Sequence, residues 1–298
     1  MDATDPAARG LNGELLELAV DAARMAGGLL LERAGHGVEA DVRSKSTPTD
    51  LVSEADLAAE RAIRELLAAR RPGDGFLGEE GGSAEGASGL SWVVDPLDGT
   101  VNFLFGIPQW CVSVAVRDGR GTVAGAVYDP NRDELFTATR DGRPAMAGRD
   151  GAVELTAAGG RGRARSRAAG SQPAAEEAAV TAEPGAGGLQ SAMVATGLAY
   201  DARVRAAQAQ VLARLAPLVR DIRRFGSAAL DLCWTAAGRY DAYFERSVKQ
   251  WDVAAGALIC ERAGLMVLEL PVYENLPWGI LVATPSLAQP LYELVEGP

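Results

Sequence analysis

Histidine and lysine are nearly absent from this chain. Its 298 residues include one histidine, His36, and two lysines, Lys45 and Lys249, whereas the other basic residues are all arginine. Because histidine is the usual general base and a common zinc ligand, its scarcity argues against histidine-dependent catalysis and against His-ligated zinc. A lysine that persists in such an arginine-rich chain is expected to serve where a compact ammonium group is needed.

Cysteine is sparse, and no apolar run is long enough to span a membrane. The three cysteines, Cys111, Cys233 and Cys260, lie in apolar runs, and an odd, sparse set predicts buried free thiols in a reducing compartment instead of a disulfide framework. Residues 1–5 are acidic and lack the apolar core of a signal peptide. These features predict a cytoplasmic protein without a membrane partner.

The composition is that of a globular protein with a sizeable core. Hydrophobic residues make up 48% and charged residues 23% of the chain, and the net charge is −11. A chain of this length forms one large or two ordinary domains. The acidic balance argues against nucleic acid as the main partner.

The pattern of apolar residues divides the chain into three parts. Residues 1–156 are predicted to form an α+β half, with two helices packed on an antiparallel sheet, and residues 191–298 an α/β half. Between them, 18 of the 34 residues in 157–190 are Ala or Gly, which predicts a flexible segment. The arginines between residues 161 and 167 are interpreted as a solvated loop, with contact to an acidic partner or nucleic acid as the alternative. The predicted helices are 12–34, 53–70, 203–216, 227–237, 251–263 and 286–295, and the predicted strands are 75–78, 92–94, 110–117, 121–128, 134–140, 192–196, 222–225, 241–245, 265–269 and 279–284.

Two aspartates and a threonine lie close together in segment 95–100 (Asp-Pro-Leu-Asp-Gly-Thr), directly after the apolar residues 92–94. Neighbouring strand residues point to opposite faces, so the two carboxylates converge only if the chain bends between them, as Pro96 and Gly99 permit. Gly99 and Thr100 would then begin a short helix whose free N–H groups face an anion. The segment predicts metal ligands beside a phosphate cradle, and an Asp-rich turn that caps a helix is the alternative.

Other short segments carry carboxylates that are expected to converge on the same place, namely Asp56, Glu79, Glu245 and Asp252. Clustered carboxylates repel each other and are costly to desolvate, so a fold that gathers them is expected to hold a cation. Oxygen ligands without a Cys or His cluster predict Mg²⁺ or Mn²⁺. Two such ions beside a helix N-terminus form a site for phosphate-ester chemistry.

The same segments carry a family resemblance. Residues 92–103 resemble the first signature of the inositol monophosphatase family, and residues 251–256 resemble the second. Further segments fit the family in order and spacing, and the likeness runs from about residue 14 to residue 284 outside 157–190; these segments are 45–56, 78–80 and 224–229.

The resemblance implies a ligand set for two or three Mg²⁺ ions, with Mn²⁺ as a substitute. Glu79, Asp95 and the backbone carbonyl of Leu97 would bind one ion. Asp95, Asp98 and Asp252 would bind a second, and Glu79 would share a third, more hydrated ion.

The resemblance also implies the catalytic and substrate-binding residues. Asp56 and Thr100 would orient and deprotonate the attacking water, with Glu79 as the third catalytic residue. The implied substrate-binding residues are Lys45, Gly99 and Thr100 at the phosphate, and Gly226, Ser227, Ala228 and Glu245 at the sugar pocket. Lys249 stands where relatives often carry a neutral residue or histidine, so it could pair with Glu245 or add positive charge at the pocket.

The implied fold is a layered α-β-α-β-α sandwich of the inositol monophosphatase and sugar phosphatase type, and the implied assembly is a homodimer. The expected activity is Mg²⁺-dependent, lithium-sensitive hydrolysis of a small phosphate ester, myo-inositol 1-phosphate. Histidinol phosphate, fructose 1,6-bisphosphate and 3′-phosphoadenosine 5′-phosphate are the alternative substrates within the family. A different class of function also stays open, since some bacterial family members act in transcription complexes as regulatory binding proteins.

Overall fold

Two long helices open the fold. A computed structural model describes residues 6–35, 43–44, 51–52, 54–157 and 188–297. Helix α1 (Pro6–Gly35) and helix α2 (Glu54–Arg70) confirm the predicted helices, and α1 begins six residues before the predicted start at residue 12. Both pack through small and aliphatic side chains, among them Ala22 and Ile63, which are fully buried.

An eight-stranded sheet lies beneath these helices. Its strands run in the order β10-β9-β8-β7-β6-β5-β3-β4. The predicted antiparallel sheet is confirmed except at one pair, since β3 and β5 are parallel. The short strand β4 returns the chain between them, so β3 and β5 run in the same direction and end at the same edge. The strands are β3 (Gly75–Gly78), β4 (Gly82–Ala84), β5 (Ser91–Asp98), β6 (Cys111–Asp118), β7 (Gly121–Asp129), β8 (Glu134–Thr139), β9 (Ala145–Gly148) and β10 (Gly151–Glu154), and a separate pair consists of β1 (Arg43–Ser44) and β2 (Leu51–Val52).

The second half of the described chain forms a mixed five-stranded sheet with helices on both faces. The strand order is β12-β11-β13-β15-β14, with β11 parallel to both of its neighbours and β15 antiparallel to both of its own. The predicted elements of this half are confirmed within a few residues. They are β11 (Met193–Thr196), α4 (Ala202–Leu215), β12 (Asp221–Arg223), α5 (Ala228–Ala236), β13 (Ala242–Arg246), α6 (Gln250–Arg262), β14 (Met266–Leu270), β15 (Gly279–Ala283) and α7 (Pro285–Val295), and the short helix α3 (Thr100–Leu104) belongs to the first half.

Three apolar clusters define the layers. One joins α1 and α2 to the first face of the large sheet. The second places α5 and α6 between the other face of that sheet and the small sheet. The third joins α4 and α7 to the outer face of the small sheet. The result is the predicted α-β-α-β-α sandwich. Within the described ranges, no helix is both long and apolar enough to cross a membrane.

Candidate active site

The end of strand β5 carries Asp95 and Asp98 on a bulge. Asp95 pairs with Ser113 and Asp98 pairs with Cys111, so three residues of β5 advance the register by only two on β6. Residues three apart on a regular strand point to opposite faces, and a one-residue bulge brings them to the same face. The strand therefore does not end at Asp95, as the predicted bend implied. Instead it continues to Asp98, and the Leu97 amide donates to Asp95 Oδ1 at 3.0 Å within the bulge.

Gly99 turns the chain from β5 into α3. Its φ of 103° lies in the left-handed region, where residues with a Cβ are strained. A Cβ at this position would also lie 2.9 Å from the Gln109 carbonyl oxygen and 3.1 Å from Trp110 Cβ. A glycine is therefore required for Thr100 to begin α3 directly beside the two aspartates.

Three carboxylates from three elements meet beside this turn. Oxygens of Glu79, Asp95 and Asp252 lie within 4.8 Å of one another. Glu79 follows β3, and its amide donates to the Val94 carbonyl at 3.2 Å, so it lies beside the end of β5. Asp252 lies in the first turn of α6 and accepts from the Lys249 amide at 2.6 Å. All the ligand atoms are hard oxygens, which fit Mg²⁺ or Mn²⁺.

Burial and mutual repulsion raise the pKa values of these aspartates. Burial is the largest cause for Asp95, whose pKa lies well above its ordinary value, and the charges of Glu79, Asp98 and Asp252 raise it further. Burial and then the charges of Asp98 and Glu79 do the same to the pKa of Asp252. Carboxylates that repel each other in a buried site are stabilised by a bound cation.

Asp98 is held by the start of helix α5. The Ser227 hydroxyl donates to Asp98 Oδ2 at 2.6 Å, and the Ala229 amide donates to the same oxygen at 2.7 Å. Burial raises the pKa of Asp98 to about 6, and these two hydrogen bonds oppose the rise. Ser227 was predicted at the sugar pocket, and in the structure its hydroxyl is bonded to a candidate metal ligand.

Thr100 and Asp56 form a buried polar pair. Thr100 Oγ1 lies 2.9 Å from Asp56 Oδ1 and 3.1 Å from the Leu97 carbonyl oxygen. The hydroxyl has one proton, so it donates to one of these oxygens at a time. Asp56 is fully buried in the first turn of α2. The Asp56 carboxylate is therefore a proton acceptor in contact with the Thr100 hydroxyl. Thr100 in turn directly follows the turn after Asp95 and Asp98.

Glu245 lies at the end of β13 with one oxygen already occupied. The hydroxyl of the fully buried Tyr243 donates to Glu245 Oε2 at 2.9 Å. Burial raises the pKa of Glu245 to about 7, with the charge of Asp98 adding to the rise and the tyrosine hydrogen bond opposing it. A Cβ on Gly197 would coincide with the Glu245 carboxylate, so this glycine leaves the space that the carboxylate fills.

The structure brings most of the predicted site residues to one region, and Lys45 lies outside the described residues. Ala228 is buried at the start of α5, next to Gly226, whose φ is 85°. Lys249 is exposed, and its backbone amide bonds to Asp252. No ion pair joins its side chain to Glu245 among the described residues, so of the two roles considered from the sequence only added positive charge at the pocket stays a prediction.

The sequence reasoning missed two residues at this site. Glu60 is buried one helical turn after Asp56, and Tyr243 lies two residues before Glu245 on the same face of β13. The available signal was periodicity: Glu60 lies four residues after Asp56 on one helix, and Tyr243 lies two residues before Glu245 on one strand, so each shares a face with a predicted residue. Asp231, which the sequence suggested only as a structural partner of Arg224, is also buried. Burial and then the charges of Glu245 and Asp98 raise its pKa well above its ordinary value, and the Tyr240 hydroxyl and Arg224 oppose the rise.

One buried and two partly buried carboxylates, held within 4.8 Å of one another in a layered sandwich, supply the oxygen ligands that a metal-dependent phosphatase needs. The model of the inositol monophosphatase family matches residues 11–292. The chain belongs to that family.

Individual relatives agree with this assignment. The chain is 44% identical over 283 residues to an inositol-1-monophosphatase of Mycobacterium leprae, with 89% of this chain and 84% of the relative covered. It is 36% identical over 257 residues to the Nus factor SuhB of Pasteurella multocida, covering 86% of this chain and 85% of the relative. The solved structure of Mycobacterium tuberculosis SuhB matches with a TM-score of 0.73 and 35% identity, covering 95% of this chain and 96% of that one.

Proposed function

We propose that the protein is a Mg²⁺-dependent phosphomonoesterase that hydrolyses myo-inositol 1-phosphate to inositol and phosphate. The observation that carries the proposal is the Thr100–Asp56 hydrogen bond of 2.9 Å beside the Glu79–Asp95–Asp252 group. A hydroxyl paired with a buried carboxylate can relay a proton without histidine, which this chain nearly lacks.

The proposed metal-binding residues are those that the family resemblance implies, and the close placement of Glu79, Asp95 and Asp252 supports them. Glu79, Asp95 and the Leu97 carbonyl would hold one ion, and Asp95, Asp98 and Asp252 a second, with a third shared by Glu79. Asp98 would use Oδ1, because Oδ2 already accepts hydrogen bonds from Ser227, Ala229 and the Cys111 thiol. When bound, such ions lower the pKa of a coordinated water and neutralise charge on the phosphoryl oxygens.

The residues around the carboxylates supply orientation and proton transfer. Thr100 Oγ1 accepts a hydrogen bond from the attacking water while its own proton lies toward Asp56 Oδ1. As that water loses a proton to Thr100, the threonine proton passes to Asp56, which is positioned for it at 2.9 Å. The amides of Gly99 and Thr100 bind phosphate oxygens in this proposal, and Lys45 supplies positive charge there.

Glu245 selects for a polyol in this proposal. Tyr243 occupies Oε2, which leaves Oε1 to accept hydrogen bonds from hydroxyls of the leaving alcohol. Gly226, Ser227 and Ala228 form the adjacent wall. Several relatives carry the name inositol-1-monophosphatase, which supports the same substrate for this chain. Histidinol phosphate, fructose 1,6-bisphosphate and 3′-phosphoadenosine 5′-phosphate remain the competing esters.

The direct test is phosphate release from these four esters with Mg²⁺ and with EDTA. The proposal expects the highest kcat/KM for myo-inositol 1-phosphate, no turnover in EDTA, and inhibition by lithium. A Glu245→Gln variant should lose this preference while retaining turnover of p-nitrophenyl phosphate, an ester without a diol. A wild-type preference for another ester would leave the metal-dependent chemistry standing and reject inositol phosphate as the substrate.

A second candidate function is regulatory binding in a transcription complex, since two relatives are named Nus factor SuhB. We propose this as an addition to catalysis, because the acidic group and the Thr100–Asp56 pair are both present. The proposed state of the protein is a cytoplasmic homodimer whose main ligand is a small phosphate ester. Analytical ultracentrifugation tests the dimer, and co-purification with transcription factors from the native cell tests the second function.

A further inference from the structure

Helix α2 carries a second buried carboxylate that the proposed chemistry does not use. Glu60 lies four residues after Asp56, on the same face of α2, and only 3% of its surface is exposed. Buried glutamates are rare in folded proteins unless their oxygens are bonded. Asp56 reaches Thr100 from this face, so the contacts of Glu60 one turn further along indicate what else the helix positions.

Glu60 holds the backbone of the turn that carries Glu79. The amide of Glu80, the residue directly after Glu79, donates to Glu60 Oε2 at 2.7 Å. Cβ atoms added to Gly78 and Gly81 would collide with the two oxygens of the Glu60 carboxylate. The turn from Gly78 to Gly81 therefore wraps closely around this carboxylate, and a larger residue at either end would displace it.

Arg64 holds the carbonyl side of the same turn. Its guanidinium donates to the Gly81 carbonyl at 3.1 Å and lies 4.0 Å from Glu60 Oε1. It also lies over the Phe76 ring, 4.4 Å from the centroid, which fixes it against the start of the turn. Glu60 thus binds an amide of the turn and Arg64 a carbonyl, from adjacent turns of one helix.

We propose that Glu60 is a positioning residue that sets the orientation of the Glu79 carboxylate for metal binding. The inference rests on the proposed function, because it takes Glu79 as a metal ligand. Helix α2 then positions two parts of the site at once, the hydroxyl of Thr100 through Asp56 and the carboxylate of Glu79 through Glu60. Outer residues that orient a ligand change metal affinity about 10- to 100-fold when removed.

The test is direct binding of Mn²⁺ to the full-length protein, measured by electron paramagnetic resonance, with competition by Mg²⁺. Glu60→Ala is expected to weaken the tighter Mn²⁺ site by about 10- to 100-fold. Glu60→Gln keeps one carbonyl acceptor and is expected to fall between Glu60→Ala and the wild type. Glu65→Ala is the matched control, because Glu65 is exposed on the same helix and should leave the affinity unchanged.

A purely structural role for Glu60 would lower the melting temperature without changing the Mn²⁺ affinity of the folded protein. Equal affinities for Glu60→Ala and Glu65→Ala would therefore overturn the proposal. If Glu60→Ala does not fold, Glu60→Gln replaces it, since it keeps the shape of the side chain and alters only the group that accepts from the Glu80 amide. Its affinity must also fall, and wild-type affinity would overturn the proposal.

The binding comparison separates this inference from the proposed function. A wild-type protein that binds Mn²⁺ but releases no phosphate from myo-inositol 1-phosphate would reject the proposed substrate, and the Glu60 comparison would still be decided. A wild-type protein that binds no Mn²⁺ would overturn both.

Discussion

Thr100 Oγ1 lies 2.9 Å from Asp56 Oδ1, although 44 residues separate the two along the chain. Asp56 lies in α2 and Thr100 is the first residue of α3, so the contact joins the helical layer to the edge of the large sheet. Both side chains are buried, which excludes competing water from the hydrogen bond. A proton relay built this way depends on the relative positions of two elements.

Replacing Thr100 tests this relay. Thr100→Ala should lower kcat by about 10²- to 10⁴-fold, the usual contribution of general acid–base catalysis, because no group then passes a proton to Asp56. Thr100→Ser keeps the hydroxyl and should retain most of the turnover. Steady-state phosphate release at saturating Mg²⁺ distinguishes the two variants, and similar losses in both would indicate that the threonine methyl group matters instead of the hydroxyl.

Replacing Tyr243 tests the orientation of Glu245. Tyr243→Phe removes the hydrogen bond to Oε2 and frees the carboxylate to rotate, so KM for myo-inositol 1-phosphate should rise about tenfold, or about 1.4 kcal/mol, with little change in kcat. Turnover of p-nitrophenyl phosphate, which has no diol to read, serves as the internal control. A parallel loss with both esters would place the effect on folding or on the phosphate site.

The raised pKa values predict how metal-free stability depends on pH. Asp98 rises to a pKa of about 6 and Glu245 to a pKa of about 7, so each binds its proton more tightly when folded. The stability that they contribute is fully present below their ordinary pKa values and is lost as the pH rises through the raised ones. The melting temperature of the metal-free protein should therefore fall from pH 5 to pH 8.

Mg²⁺ should restore the stability that the metal-free protein loses as the pH rises. At pH 8 the carboxylates are charged and available, so the ion should raise the melting temperature more than at pH 5, where protons compete. In an Asp98→Asn/Glu245→Gln double variant without metal, the melting temperature should depend less on pH than in the wild type. A melting temperature that is unchanged or higher at pH 8 in the metal-free wild type would contradict the assigned shifts.

Much of the fold could be predicted from the sequence because its periodicity is strong. The α2 stripe of Ile63 and Leu67, and the alternation on either side of the 118–121 turn, gave elements that the structure confirms. Strands β4, β9 and β10 of the large sheet were missed because their residues are exposed or only partly buried, so no apolar alternation marks them. The parallel pairing of β3 and β5 depends on that missed return strand.

The sequence predicted the candidate site less completely than the fold, because the site depends on contacts between distant segments. The aspartates at 95 and 98 were recognised from their neighbours, but the bulge that brings them to one face depends on pairing with β6. Glu60 binds the backbone beside Glu79, and Tyr243 binds the Glu245 carboxylate. These contacts exist only in the folded chain, so the sequence pattern could not reveal them. The pairing of Lys249 with Glu245 is not seen because Glu245 binds Tyr243 at the end of β13, whereas Lys249 is exposed before α6.

Asp95 is the residue that the first two proposed metal sites share, so its replacement by asparagine tests the account most directly. Phosphate release from myo-inositol 1-phosphate would be measured across a Mg²⁺ titration for wild type, Asp95→Asn and the exposed control Asp150→Asn. The wild type and the control should be activated by Mg²⁺, whereas Asp95→Asn should stay nearly inactive. Its metal-free melting temperature should equal or exceed that of the wild type, because a buried like charge is removed. Wild-type turnover in Asp95→Asn would contradict the assignment of this carboxylate group as the metal site.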